Sequence, residues 1–336
     1  MARKYLGHLA EHDPLYHYLR HDIQPQLAGD CHAGYRVFQL SGSNDVYLYE
    51  NRHSNDRVVG KFFLSDRKRD PVRAARRMHR ELDNLGMLRS YGLTSPPHYV
   101  VRPLGCNQWL NCLVVVEHCQ GETLSAIIQA TIRRNCGDPL YGKLTALAYF
   151  LATLHNRSAN AVRVNFLEDC AYLDQLIASL HTIQAINHEE IMELVWLRDQ
   201  WSGQTRMWED CQVLVHGDAT PDNFLFGNGL DVIALDLERA KRADRTFDVG
   251  RIAGELKHFF MRASGNCQAA EPFISHFLWE YSCHFPDRQQ AFRSICSRLP
   301  FHIGITLLRI ARNGWIDPPY RRRLIDEAKN NLRRFV

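Results

Sequence analysis

Apolar and polar positions change period more than once along the chain. Two short runs, Asp45-Val46-Tyr47-Leu48-Tyr49-Glu50 and Val58-Val59-Gly60-Lys61-Phe62-Phe63, are rich in β-branched and aromatic residues and flank the polar stretch 51–57, the pattern of a β-hairpin. From Pro71 to Tyr91 the period becomes helical, with Ala74, Met78 and Leu85 on one face, Pro71 placed for a first turn and Gly92 just past the end. Two further strands are predicted near Tyr99 to Val101 and from Leu113 to Glu117. Beyond Gly121 helical patterns dominate, from Leu144 to His155 and from Asp169 to about Trp201. A compact β segment runs from Val213 to Asp236. The remainder reads as helical, with breaks expected at Gly265-Asn266, Pro286, Pro300 and Pro318-Pro319. The first thirty-odd residues read as a mixed helical or irregular extension. The predicted fold class is therefore α+β: an extension over 1–34, a small β-rich N-terminal lobe over 35–118 and a large, mostly helical C-terminal lobe over 119–336.

Composition agrees with two lobes. At 336 residues, 45% hydrophobic and 23% charged, the chain is globular and long enough for about two cores at roughly 150 residues each. Ordinary Gly (20) and Pro (13) contents exclude collagen-like and low-complexity chains. No run approaches the roughly 20 apolar residues that span a bilayer, and the N-terminus lacks a signal-like apolar core. The expected location is cytoplasmic, with no membrane partner. Ten cysteines occur without a Cys-x-x-Cys pair and 17 histidines without His-Glu-x-x-His, so reduced, packed thiols are expected and no metal site made of protein ligands alone.

The informative chemistry lies in His216-Gly217-Asp218-Ala219-Thr220-Pro221-Asp222-Asn223, followed by Leu235-Asp236-Leu237-Glu238. Phe224 to Phe226 and Val232 to Leu235 read as two strands joined by a turn-rich loop, so hairpin pairing brings Asn223 beside Asp236. An amide oxygen and a carboxylate converging there, with Asp218 on the entering loop, suit Mg²⁺ bound together with phosphate oxygens. Turn and cap roles are the plainer alternative for Asp and Asn.

This spacing, His-x-Asp-x-x-x-x-Asn and then a strand ending in Asp, resembles the catalytic and metal-binding loops of the protein-kinase-like superfamily. Gly217, and Asp-x-Glu in place of Asp-Phe-Gly, resemble its aminoglycoside phosphotransferase and choline-kinase-like branch. The resemblance implies a two-lobed kinase-like fold, with ATP (GTP staying open) and Mg²⁺ as cofactors and a small hydroxylated molecule as acceptor. It gives Asp218 the catalytic role and Asn223 and Asp236 the metal. Lys61 corresponds to the lysine that holds the nucleotide phosphates. Glu81 lies in the apolar stripe of the following helix, where a carboxylate needs a partner, and the family pairs it with Lys61; two unrelated surface residues are the alternative. Ser41, Gly42, Ser43 and Asn44 stand in the place of the glycine-rich phosphate loop, and Glu117 to Cys119 in the place of the adenine-binding hinge. Asp248 corresponds to an Asp that accepts hydrogen bonds from the catalytic loop, with a helix N-cap as alternative. Glu238 reads either as a carboxylate behind the metal or as a solvated group, and His216 as a packed strut for the loop.

Only residues 237–247 separate Asp236 from Asp248, too few for a peptide-docking segment, whereas Gly121 to Val215 is long and helical; both point to a small-molecule acceptor. A nucleotide-binding module without transferase activity and an aminoglycoside O-phosphotransferase are the competing readings. Nucleic acid is not expected as a partner, because Arg73, Arg76, Arg77 and Arg80 fit a solvated helix face. A homodimer stays open, and so does a pocket role for Trp279, Tyr281, Trp315 and Tyr320. Formal net charge is +4, but residues 271–336 alone carry +5 and the other 270 carry −1. If that excess flanks the acceptor, a polycation is disfavoured and a neutral or anionic acceptor is expected.

Overall fold

The computed structural model describes residues 3–27, 34–40, 45–54, 56–65 and 70–334. The strands are β1 (Arg3–His8), β2 (Tyr35–Leu40), β3 (Asp45–Asn51), β4 (Arg57–Phe62), β5 (Thr94–Ser95), β6 (His98–Val100), β7 (Pro103–Asn107), β8 (Leu113–Glu117), β9 (Glu122–Thr123), β10 (Val213–Val215), β11 (Phe224–Phe226), β12 (Val232–Ala234) and β13 (Lys241–Ala243). The helices are α1 (Pro14–Tyr18), α2 (Pro71–Ser90), α3 (Leu124–Arg134), α4 (Asp138–Ser158), α5 (Leu167–Thr182), α6 (His188–Ser202), α7 (Thr246–Ser264), α8 (Glu271–Ser282), α9 (Arg288–Ala311) and α10 (Pro318–Leu332). The chain forms two compact units, residues 1–120 with 233–238, and residues 121–232 with 239–336.

The first unit is built on a six-stranded antiparallel sheet in the order β1-β2-β3-β4-β8-β7. Alternation along β8 explains its two covered faces. Leu113 and Val115 enter one cluster with Leu15, Leu19, Ile23 and Tyr49, while Val114 enters the other with Phe63, Ala74 and Met78 of α2. Of the mixed helical or irregular extension expected at the N-terminus, residues 14–26 do form short helical turns, whose apolar side chains cover one face, but Arg3–His8 is the edge strand paired to β2. Strands β2 and β7, absent from the sequence reading, complete the sheet. Helix α2 begins where Asp70 caps the Arg73 amide and Pro71 takes the first turn. Residues 233–238 belong to this unit through Val101 N–H, which donates to Ala234 O at 3.2 Å, and Asn84 Nδ2, which donates to Leu237 O at 2.7 Å.

The second unit is helical around α7, whose residues from Thr246 to His258 are all buried. Glycine sets its distance to α9: a Cβ on Gly250 would lie 2.3 Å from His302 Cβ and one on Gly254 2.6 Å from Thr306 Cγ2. The missing side chains let α9 lie directly against α7 and bring Arg309, one turn beyond Thr306 on the same face, close to Glu255. Two expectations are corrected here. The run from Asp169 to Trp201 is two helices, because Asn187 and Glu190 form a capping box that starts α6. Pro300 does not break the chain but sits inside α9. The lost backbone bond, about 3 kcal/mol, is outweighed by burial of Leu299, Phe301, Ile303, Leu307 and Leu308. Pro318 and Pro319 open α10 behind the Asp317 cap.

Candidate active site

In the first unit Lys61 of β4 points from the sheet toward α2. Its Nζ lies 2.6 Å from Glu81 Oε2, 2.7 Å from Asp236 Oδ1 and 3.9 Å from Glu238 Oε2. Burial works to deprotonate Lys61, but the three carboxylates outweigh it and hold its pKa above the ordinary value. Burial pushes the Glu81 carboxyl up to about 7 against the pull of Lys61. Asp236 has φ 56°, a left-handed conformation that Asp tolerates better than most residues. Glu238 is not solvated: Arg77 of α2 donates both bonds of one Nη2 to its carboxylate, at 2.8 and 3.0 Å. Arg77 thus departs from the solvated face expected of Arg73, Arg76, Arg77 and Arg80.

Glu117 and Cys119, expected at the hinge, lie in the same unit. The Glu117 carboxylate accepts from Tyr99 Oη and from Arg102 N–H, both at 2.6 Å, and Glu117 N–H donates to Arg102 O at 3.1 Å. Burial, with Glu117 nearby, pushes the Cys119 thiol up to about 12, so it is no nucleophile. Ser41, Gly42, Ser43 and Asn44 lie outside the described residues.

In the second unit, the loop after β10 is braced from below. Asp248, the third residue of α7, is fully buried and accepts from His216 N–H at 2.6 Å and Gly217 N–H at 3.0 Å, with His155 Nε2 at 3.2 Å. Burial would raise its pKa, but these bonds and the histidines hold it below the ordinary value. Asp248 is thus no helix N-cap; Arg245 occupies that position. Gly217 has φ 79°, and a Cβ there would fall 1.9 Å from Arg239 O, so no other residue fits between His216 and Asp218. His216 is fully buried and packs on Phe224, with ring centroids 5.1 Å apart. Asn223 Nδ2 donates to Asp218 O at 2.8 Å, leaving Oδ1 as its acceptor atom.

Asp218 itself meets cations. Arg309 Nη2 lies 2.8 Å from Oδ1, and Arg239 Nε lies 3.8 Å from Oδ2. Burial raises the Asp218 pKa, but Arg309, Arg251 and Arg239 more than reverse this and keep the carboxylate ionised below its ordinary range.

The model of the phosphotransferase enzyme family matches residues 35–281. The chain belongs to that family. Its fold is similar to that of an aminoglycoside phosphotransferase, APH(2")-IIa, solved in a ternary complex with streptomycin and ATP, at TM-score 0.56 and 14% identity over 98% of this chain and 99% of that one. It is also similar to a Plasmodium vivax ethanolamine kinase, at TM-score 0.59 and 13% identity over 95% and 87% of the two chains. A third similar structure is the GDP complex of aminoglycoside 2'-phosphotransferase-IIIa, at TM-score 0.56 and 16% identity over 96% and 99%. No curated protein sequence matches the chain. The two-lobed, kinase-like α+β fold expected from the sequence is the fold of this phosphotransferase.

Among the described residues of this phosphotransferase, Glu81, Asp236 and Glu238 form a carboxylate group with ligand atoms within 4.8 Å of one another. The Lys61 ammonium already bonds two of them, which makes this first a lysine site. Asp236 keeps 31% of its side chain exposed, and its carboxylate is a hard oxygen donor of the kind Mg²⁺ takes. Five residues of the family member's two networks escaped the sequence reading of the site: Arg77, Arg239, Arg251, Glu255 and Arg309. Arg251 and Glu255 carried a signal, as an i, i+4 charged pair inside an apolar helix.

The basic C-terminal segment is largely consumed by structure. Arg298 pairs with Asp210 and Asp244, Arg322 with Glu190, and Lys329 and Arg333 with Glu193. Within that segment, Arg309 alone among the described residues is paired with Asp218. Tyr281 and Tyr320 are core residues, while Trp279 and Trp315 are 37% and 62% exposed.

Proposed function

We propose that this phosphotransferase is an ATP-dependent small-molecule kinase that transfers the γ-phosphoryl group to a hydroxyl of a neutral or anionic metabolite. The observation that carries this reading is the Lys61 ammonium held jointly by Glu81 and Asp236 at 2.6 and 2.7 Å. A buried lysine so paired is fixed in position and fully charged, as a phosphate-holding group must be.

In this reading Lys61 binds the α and β phosphates, and Ser41, Gly42, Ser43 and Asn44 cradle the phosphate chain through backbone and hydroxyl donors. Glu81 fixes Lys61, while Glu238, clamped by Arg77, ties Lys61 to α2. The Glu117–Cys119 stretch borders the nucleotide base, with GTP as an alternative donor. Asn223 and Asp236 would hold Mg²⁺, which neutralises phosphate charge during transfer. Asp218 accepts the acceptor's hydroxyl proton; its depressed pKa makes it a positioning base more than a strong one. The acceptor oxygen forms its bond to Pγ as the bond from Pγ to the β-phosphate oxygen breaks, and ADP leaves with that electron pair. Asp248 and His216 hold the loop so that Asp218 does not have to reorganise. The aminoglycoside reading is disfavoured because both carboxylates at Arg309, Asp218 and Glu255, are already paired. No helix among the described residues is long and apolar enough to cross a membrane.

ADP release from Mg-ATP, scored against a panel of hydroxylated metabolites and antibiotics, tests the proposal. Acceptor-dependent ADP release with a phosphorylated product supports it. Tight Mg-ATP binding with no transfer to any acceptor and no slow hydrolysis would favour the non-catalytic module instead.

A further inference from the structure

The surroundings of Asp218 are richer in guanidinium groups than phosphoryl transfer by itself requires. Arg309 Nη2 bonds Asp218 Oδ1 at 2.8 Å and its Nη1 bonds Glu255 Oε1 at 3.2 Å. Arg239 Nε stands 3.8 Å from the other Asp218 oxygen. Behind them Arg251 is 3% exposed, and its Nε and Nη1 find no hydrogen-bond partner among the described residues. Three guanidinium groups thus lie around Asp218 and Glu255, both already engaged by Arg309, with the charge of Asp222 also acting on Glu255. The next carboxylate of the loop, Asp222, is taken by Ser125 Oγ of α3. A guanidinium has five N–H donors; Arg309 commits two to protein carboxylates, and buried Arg251 donors without acceptors are costly to leave unmatched. Positive charge continues along the same face of α7, where Arg262 lies over the rings of Trp315 and Tyr320 at 5.6 and 5.3 Å.

We propose that the acceptor is an anionic hydroxy compound, carrying a carboxylate or phosphate near the reacting hydroxyl, and that Arg309 is the residue that selects it. This rests on the reading of Asp218 as the carboxylate that receives the hydroxyl proton. An acceptor anion beside Asp218 would otherwise be repelled by that carboxylate and by the γ-phosphate, and the guanidinium cluster offsets both. A polycationic acceptor meets three guanidinium groups and finds no carboxylate there without a partner. The fork of Arg309 suits the planar carboxylate or the phosphate equally.

Matched acceptor pairs separate charge from shape: glycerate and glycerol 3-phosphate against glycerol, gluconate against glucose, with kanamycin as the polycation. With Mg-ATP and ADP release as readout, an anionic member is expected to exceed its neutral partner in kcat/KM by about 30-fold or more. Arg309→Gln should collapse that ratio to a few-fold, and Arg309→Lys should restore part of it. A neutral compound or kanamycin as the best acceptor overturns the proposal while the kinase reading stands. An unchanged ratio in R309Q overturns it as well. If no member turns over, thermal stabilisation of the wild-type protein in Mg-AMP-PNP decides. Stabilisation by anionic members alone, lost in R309Q, supports the site, and none overturns it. The kinase reading fails separately, if Mg-ATP itself neither binds nor is consumed.

Discussion

The two units each gather charge around one functional side chain, with opposite balance. In the first, Lys61 and Arg77 face Glu81, Asp236 and Glu238, an excess of carboxylate. In the second, Arg309, Arg251 and Arg239 surround Asp218 and Glu255, so that every carboxylate bonded there is bonded by guanidinium. Buried charge is stable only when paired, so each cluster states what it can take. A carboxylate surplus suits a divalent cation arriving with a nucleotide; a guanidinium cluster suits an anion. On the proposed reading, phosphate handling and acceptor choice fall to separate networks of this phosphotransferase, which substitutions should separate.

The largest expected effect is on turnover. Asp218→Asn should lower phosphoryl transfer by about 10²–10⁴-fold while isothermal titration still shows Mg-ATP binding; equal loss of both would merge the two networks into one. Next is Lys61→Met, which leaves Glu81 buried without its cation. Chemical denaturation should show a loss of about 3–5 kcal/mol together with weakened Mg-ATP binding, and wild-type stability in this variant would break the comparison. Arg77→Ala removes the clamp on Glu238. A smaller cost of about 1 kcal/mol is expected, with KM for Mg-ATP raised more than kcat is lowered, and an effect confined to the acceptor KM would count against the assignment.

The smallest effect contrasts Asp218 with a carboxylate that lacks arginines. Asp169, also in the second unit, is buried with Oδ1 unpartnered, and burial pushes its carboxyl up to about 7. Between the ordinary carboxyl range and pH 7 the folded chain keeps a proton that the unfolded chain releases. That contribution to stability is present at low pH and lost as pH rises through about 7. Asp169→Asn should therefore raise Tm by a few degrees at pH 8 and by less at pH 5. A Tm gain independent of pH would show that Asp169 is ionised in the fold, as Asp218 is.

Much of this was legible in order along the chain. The His216 to Asn223 spacing, the Asp236 strand end, and Lys61 with Glu81 on an apolar helix stripe are local patterns, and local patterns survive in sequence because strand and helix periods are fixed by backbone geometry. The roles of Glu238 and Asp248 were open because a carboxylate in a turn or a first helical turn looks the same whether solvated or buried. Only burial and partners distinguish them: Arg77 on Glu238, and two backbone amides with His155 on Asp248. The strand Arg3–His8 was missed because a short edge strand gains its identity from the neighbour it pairs with, β2, which was itself not seen.

The sequence by itself determined the His216 to Asn223 spacing, the α+β order and the surplus of positive charge near the C-terminus. Only the tertiary structure decided which of those charges matter. Arg298, Arg322, Lys329 and Arg333 are satisfied by carboxylates from 190–244, whereas Arg309, 91 residues after Asp218, reaches it because Gly250 and Gly254 let α9 close on α7. Net charge is a sum over residues, but selectivity depends on distance and on which partner is already taken, and folding alone sets both.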